Sequence, residues 1–180
     1  MAGGGWRGSG EELPAATAAW LLHQGSLTEK LRGRCGSLKV RIVRQGWFSG
    51  SLKTNEASFC EAKTDTAGLP GLETAKAGGV AAAASERVWL REVMLFGDGV
   101  PWVFAQTLLP ESGARGAAAG LTELGDEPIG PWLFARRTRR QSLQWRRDEG
   151  GLYARRSMLL LEGSPLQISE LFLPQFDFAD

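Results

Sequence analysis

The sequence predicts an α+β fold in a single domain, with a largely antiparallel sheet of about six strands and helices packed on it. Six segments of strand length carry alternating or short apolar runs. Two pairs of these segments are joined by tight turns, which is typical of antiparallel neighbours. Helical pieces are concentrated at two places, and the 180 residues are the usual size of one domain.

The N-terminal part is predicted to be helical after a loose start. Residues 1–12 are Gly-rich and are predicted to form a flexible tail, followed by one domain over 13–180. Leu13–Gln24 is rich in Ala and Leu, and Gly25 can end a helix there. Ser26 and Glu29 have capping-box spacing, which indicates that a second short helix begins at "SLTEKL".

The remaining chain is predicted to be mainly strands. The predicted strands are residues 38–48, 88–96, 101–109, 139–147, 156–162 and 166–173. "GDG" at 97–99 and "GSP" at 163–165 have the composition of hairpin turns. Residues 111–135 contain broken helical pieces, and residues 49–86 lack clear periodicity and are predicted to form a variable loop.

Composition excludes several classes of protein. A net charge of +1 gives no global field for nucleic acid or an anionic membrane, and no apolar run reaches the roughly 20 residues that span a bilayer. The N-terminus lacks the apolar region of a secretory signal, and the two cysteines form no disulfide or zinc pattern. We therefore expect a reduced, cytoplasmic protein. The single histidine, His23, excludes a centre with several histidines and is interpreted as a surface or capping residue.

Two charged residues interrupt apolar rows of predicted strands. Alternation places Arg91 in a row with Trp89 and Val93, and Glu170 in a row with Ile168. Burying a lone charge costs several kcal/mol unless a partner or ligand compensates. The two residues are therefore members of a structural ion pair, or side chains that reach water at the ends of strands, or the carboxylate-binding and hydroxyl-binding ends of a pocket. Alternation alone does not choose between these interpretations.

Eight arginines lie between residues 136 and 156 against two acids, a local excess of six positive charges. Such a segment, with aromatics nearby, could bind nucleic acid. The rest of the chain cancels the charge, and the arginines fall on both phases of the strands. We interpret most of them as solvated strand edges and loops, part of which could steer a small anionic substrate.

Three blocks of sequence resemble the bacterial chorismate lyase family, which also bears the name chorismate pyruvate-lyase. The blocks are "WLREVMLFGDGVPWVFAQTLLP" at 89–110, "LGDEPIGPWLF" at 124–134 and "RDEGGLYARRSMLLLEGSPLQISELFLP" at 147–174. The resemblance covers about residues 88–174 and is weaker over 20–48. Residues 49–86 do not match.

The resemblance implies an enzyme that eliminates pyruvate from chorismate to give 4-hydroxybenzoate, the first committed step of ubiquinone biosynthesis. It implies a monomer that binds its ligand in an internal pocket under helical flaps, for which "SLTEKL" and residues 121–135 are the candidates. No cofactor or metal is implied, and neither nucleic acid nor a membrane is an expected partner. Carried over by motif, Arg91 holds the ring carboxylate, Glu170 contacts the hydroxyl, and the backbone amides of Leu27 and Ile129 complete the site. Arg91 and Glu170 are the expected catalytic pair.

A non-catalytic, effector-sensing domain on the same fold is the alternative. Such domains normally follow a helix-turn-helix region, and the residues before Trp20 are too few to form one. The sequence does not decide whether Glu170 is a general base or only orients the substrate.

Overall fold

A computed structural model of the chain describes residues 5–49, 87–116 and 118–179, which form one six-stranded sheet with short helices. The strands are β1 Leu38–Ser49, β2 Arg87–Gly97, β3 Val100–Pro110, β4 Thr138–Arg147, β5 Tyr153–Leu161 and β6 Ser164–Phe172. The helices are α1 Ala15–Leu21, α2 Leu27–Arg32, α3 Glu111–Ala114 and α4 Ile129–Phe134, with a 3-10 turn at Ala119–Leu121. Within these described ranges, no helix is both long and apolar enough to cross a bilayer.

The strand order is β1-β2-β3-β6-β5-β4, and every neighbouring pair is antiparallel. The chain leaves the centre of the sheet after β3, passes through the short helices, and forms β4 at the far edge. It then returns through β5, so that β6 pairs with β3 at the centre. The predicted fold class is confirmed. The predicted loop at 49–86 lies outside the described residues except for Ser49, and the predicted domain limits stay a prediction.

Both predicted hairpins are present, and each has a two-residue turn with consecutive positive φ angles. Asp98 and Gly99 have φ of 50° and 84°, and Glu162 and Gly163 have φ of 48° and 88°. This conformation matches the right-handed twist of the flanking strands. The second turn overlaps the predicted "GSP" only at Gly163, because the ring of Pro165 fixes a negative φ, and Ser164 and Pro165 pair within β6.

Helix α1 is shorter than predicted at both ends. It begins after Pro14, whose extended backbone is not helical, and ends at Leu21. At that end the carbonyl oxygens of Trp20 and His23 accept hydrogen bonds from the Arg155 guanidinium, at 3.2 and 3.1 Å. Helix α2 begins where the capping-box spacing predicts, because the Ser26 hydroxyl accepts a hydrogen bond from the Glu29 amide at 3.3 Å.

The N-terminal residues lie beside the edge strand β4. Arg7 and Trp145 exchange two backbone hydrogen bonds of 2.8 Å. The indole N–H of Trp145 also donates to the carbonyl oxygen of Ser9 at 2.6 Å. This part of the predicted tail therefore covers backbone groups that an edge strand would otherwise expose.

One face of the sheet packs against the helices through two separate apolar clusters. The first joins α1 and α2 to residues such as Val93 and Phe172. The second joins α4, Ala114, Ala118 and Leu121 to residues such as Trp89 and Ile168. Between them runs a band of buried polar side chains, here called the polar seam, which consists of Arg91, Thr107, Ser157, Arg155 and Glu170.

Candidate active site

The polar seam arises because strand pairing brings polar residues of four strands to two adjacent levels of the sheet, with Arg91, Thr107 and Ser157 at one level and Glu170 and Arg155 at the next. Arg91 pairs with Thr107 across β2 and β3, and Thr107 pairs with Ile168 across β3 and β6. Glu170 follows two residues further along β6, on the same face. Two strand spacings and a two-residue offset put the Cα atoms of Arg91 and Glu170 about 12 Å apart. Sequence alternation correctly placed both residues on the face covered by helices.

Arg91 is a buried cation with only part of its hydrogen-bonding capacity used. Its side chain is 1% exposed, and its Nη2 atom donates to the carbonyl oxygens of Gly125 and Glu127 at 2.7 and 2.8 Å. The Nε atom is buried without a hydrogen-bond partner among the described residues. Burial lowers the pKa of Arg91 and the charge of Asp126 opposes that shift, but an arginine stays protonated at neutral pH. The guanidinium can therefore accept an anionic ligand.

Glu170 has a partner that the sequence analysis did not assign. Arg155 lies directly opposite it across β5 and β6, and the Arg155 Nε donates to Glu170 Oε2 at 2.5 Å. Both side chains are largely withdrawn from solvent, with 2% and 12% exposed. The ion-pair interpretation therefore holds for Glu170, although with Arg155 rather than with Arg91. The remaining carboxylate oxygen, Oε1, is the group that a ligand hydroxyl could reach.

A small cavity of about 30 Å³ lies between the seam and the covering helices. Three of the four predicted site residues, Leu27, Ile129 and Glu170, line it, whereas Arg91 is not among its lining residues. This volume is about that of one water molecule. A ligand of the size of a substituted benzoate therefore requires the covering elements to move outward.

The cover consists of the beginnings of α2 and α4. Leu27 and Ile129 are the first residues of these helices, where a backbone N–H has no intrahelical acceptor. The helices approach closely at Gly130, where an added Cβ would lie 2.3 Å from the Ser26 Oγ and 2.9 Å from the Thr28 Oγ1. Both predicted flap segments thus meet over the cavity, and Gly130 sets how closely they meet.

The arginine segment is solvated only in part: Arg136, Arg137, Arg139 and Arg147 are exposed, as the sequence predicted, whereas other members of the segment are buried. Arg146, Arg155 and Arg156 are each 8% exposed or less. Arg155 faces the seam, whereas Arg156 points to the opposite face and donates to the Gln144 side chain at 2.7 Å. That interpretation was wrong for these three residues, and the charges are divided between two faces.

Sequence reasoning missed Arg155 because the predicted fifth strand began at residue 156. The observed strand begins at Tyr153, and alternation from there places Arg155 and Ser157 in one row with Leu159. A strand three residues longer would have revealed the cation opposite Glu170. His23 lies half-buried in the loop after α1, where burial lowers its pKa. Cys60 is outside the described residues.

Comparison with known proteins identifies the family. The family model described as chorismate lyase matches residues 68–178. The chorismate pyruvate-lyase of Pectobacterium atrosepticum is 34% identical over 163 residues, which cover 91% of this chain and 80% of the relative. That of Sodalis glossinidius is 38% identical over 161 residues, covering 88% and 78%.

Among solved structures, the C-terminal domain of the histidine utilization repressor from Pseudomonas syringae aligns with a TM-score of 0.49 at 9% identity. The alignment covers 77% of this chain and 92% of that one. The family match spans the strands that carry the seam and one of the two segments that cover it, α4. The chain belongs to the chorismate lyase family.

Proposed function

We propose that this protein is a chorismate pyruvate-lyase, which converts chorismate into 4-hydroxybenzoate and pyruvate. The observation that carries the proposal is the polar seam. It holds a buried cation with a free donor and a buried carboxylate on residues whose Cα atoms lie about 12 Å apart, and these two groups suit a ligand with a carboxylate at one end of a ring and a hydroxyl at the other. Membership of a family whose relatives bear this name supports the same activity.

The reaction does not require the protein to form a covalent bond to the substrate. Chorismate is a cyclohexadiene with a ring carboxylate, a hydroxyl and an enolpyruvyl ether. The ring C–O bond breaks, the hydrogen on the hydroxyl-bearing carbon leaves as a proton, and the ring becomes aromatic. The released enolpyruvate takes up a proton to become pyruvate. Because aromatisation drives this step, the site must mainly bind the dianion, orient it and exclude water.

Each predicted residue has a role that its surroundings support. Arg91 binds the ring carboxylate through the donor that protein groups leave free, and a planar guanidinium suits a carboxylate better than an ammonium does. Glu170, held by Arg155, accepts a hydrogen bond from the ring hydroxyl. The first-turn amides of Leu27 and Ile129 donate to the ligand from the cover. Other family members commonly have Met and Leu at these two positions, and backbone donors tolerate such changes.

The closed cover predicts that ligand exchange is slow. A cavity of about 30 Å³ cannot hold chorismate, so α2 and α4 separate for entry and close over the bound molecule. In this proposal the enzyme works as a cytoplasmic monomer that supplies 4-hydroxybenzoate for ubiquinone biosynthesis.

The test is direct. Purified protein is incubated with chorismate without added metal, 4-hydroxybenzoate is measured by chromatography, and pyruvate by coupled reduction to lactate. We expect both products in equal amounts. Folded protein that binds chorismate without forming either product would contradict the proposal and support a binding domain instead.

A further inference from the structure

The proposed substrate carries two carboxylates, and Arg91 accounts for only one of them. The second belongs to the enolpyruvyl group, whose ether oxygen is attached to the ring carbon beside the hydroxyl-bearing carbon. When the hydroxyl lies at Glu170, this second carboxylate must also lie near Glu170. Two carboxylates at close range repel each other, so binding requires positive charge and hydrogen-bond donors on that side.

The cavity beside Glu170 has a surplus of one positive charge. Among the residues that line it, Arg140 and Arg155 are cations and Glu170 is the one anion. Arg155 is committed, because its nitrogens bond Glu170 and the carbonyl oxygens of Trp20 and His23. Arg140 is thus the lining cation that forms no ion pair with an acid within the described ranges.

Arg140 also has a donor to spare. Its Nη1 atom donates to the carbonyl oxygens of His23 and Gln24 at 3.3 and 2.6 Å, which fixes the guanidinium at the cavity wall. Its Nε atom is buried without a hydrogen-bond partner within the described ranges. Burial lowers the pKa of Arg140, and the nearby charges of Arg155 and Glu170 act on it in opposite directions. All three charged side chains line the same small cavity.

Ser157 supplies a second unpaired donor at the same wall. Its side chain is 2% exposed and lines the cavity, and its hydroxyl is buried without a partner in the part of the chain that the structure describes. Leaving a buried hydroxyl unpaired is unfavourable, because the group loses its hydrogen bonds to water and gains none in exchange. A ligand carboxylate at this wall would satisfy both the Ser157 hydroxyl and the Arg140 Nε.

We propose that Arg140 and Ser157 form the subsite for the enolpyruvyl carboxylate, with Arg140 Nε–H and Ser157 O–H as donors, an inference that rests on the proposed function. Arg155 keeps Glu170 in place beside them. The product 4-hydroxybenzoate has no second carboxylate, so this subsite holds the substrate and not the aromatic product. Loss of pyruvate therefore removes the contacts on this side before the product leaves.

The experiment compares substrate and product in the same variants. Arg140→Gln and Ser157→Ala are each assayed for kcat/KM with chorismate and for the inhibition constant of 4-hydroxybenzoate. Arg139→Gln, an exposed neighbour on β4, is the matched control. We expect kcat/KM to fall about tenfold to a hundredfold in Arg140→Gln, about threefold to tenfold in Ser157→Ala, and not in the control. The inhibition constant should stay within about twofold of the wild type in all three.

Other outcomes overturn one inference or the other. The subsite alone is overturned if the wild type turns over chorismate but the variants show no selective effect. In that case kcat/KM for chorismate and the affinity for 4-hydroxybenzoate fall by equal factors, or neither changes. A wild type without turnover overturns the proposed function, and the comparison is then made with dissociation constants of chorismate and 4-hydroxybenzoate. If the variants then show no selective loss of chorismate affinity relative to 4-hydroxybenzoate affinity, the subsite is overturned too. If Arg140→Gln does not fold because it loses the hydrogen bonds to the carbonyl oxygens of His23 and Gln24, the Ser157→Ala variant tests the subsite by the same comparison.

Discussion

Glu170 and Arg155 face each other across β5 and β6, and both are withdrawn from solvent. Arg155 also bonds the end of α1 through the carbonyl oxygen of Trp20. A single guanidinium therefore positions the carboxylate at the hydroxyl end of the site and holds the loop that leads to the cover. Such a residue acts on the reaction through Glu170 rather than by touching the substrate.

Removing one member of this pair should destabilise the protein strongly. We expect Arg155→Met to lower the free energy of unfolding by about 3–5 kcal/mol, because it leaves a buried carboxylate without its partner. The double variant Arg155→Met/Glu170→Leu should recover part of that loss. Urea denaturation followed by circular dichroism measures both. A single variant as stable as the wild type would show that the pair does not hold this part of the fold.

His23 makes a pH-dependent contribution to the stability of the fold, and this contribution can be measured separately because His23 is the only histidine in the chain. Burial, and then the charges of Lys30, Arg155 and Arg140, lower its pKa from the ordinary 6.5, and a backbone hydrogen bond to Ser26 opposes them. Below pH 6.5 the unfolded chain therefore binds this proton more readily than the folded one. The corresponding stability is complete above pH 6.5 and is lost as pH falls through the folded pKa.

We expect the wild type to lose stability as pH falls from 7 toward 5, and His23→Gln to lose less over the same interval. Thermal denaturation at a series of pH values measures the difference. If the melting temperatures of the two proteins fell by the same amount over this pH interval, His23 would not be the source of the pH-dependent loss of stability.

At the scale of elements, the site depends on how closely α2 and α4 approach. Gly130 allows contact with Ser26 and Thr28 that no side chain would permit. A methyl group at this position must push the two helix starts apart, because both neighbours sit on capped or helical backbone rather than at the end of a long flexible side chain.

Gly130→Ala should therefore hold the cover partly open. We expect 4-hydroxybenzoate to bind about fivefold to a hundredfold more weakly and to dissociate faster, because overpacking of this kind costs on the order of 1–3 kcal/mol. Isothermal titration and stopped-flow dissociation measure the two quantities. Gly116→Ala is the matched control, since a Cβ there meets only a carbonyl oxygen at 3.9 Å. Equal product affinity in Gly130→Ala and the wild type would mean that the contact at Gly130 does not govern closure.

At the scale of the whole molecule, the local features of the fold were predictable and the long-range ones were not. Alternation placed each of Arg91 and Glu170 in an apolar row of its own strand, and turn chemistry indicated both hairpins. Alternation does not give the order of strands. That β6 pairs with β3 is fixed by packing over long sequence distances, and this pairing brings Arg91 and Glu170 to one part of the sheet.

The cover shows the same limit. The Ser26 cap could be predicted because it depends on residues three positions apart. The contact of Gly130 with Ser26 could not, because it joins segments about a hundred residues apart. Arg140 and Ser157 were likewise inconspicuous until the structure showed that each has an unpaired buried donor at one cavity.

The central claim is that the polar seam is where chorismate binds and reacts, and the most direct test is the kcat/KM of Arg91→Lys. Arg87→Lys, at the exposed start of the same strand, is the matched control. Lysine keeps the charge but cannot present the planar fork, so we expect kcat/KM for chorismate to fall about tenfold to a hundredfold in Arg91→Lys and to stay at the wild-type value in the control. Wild-type kcat/KM in a folded Arg91→Lys protein would contradict the account.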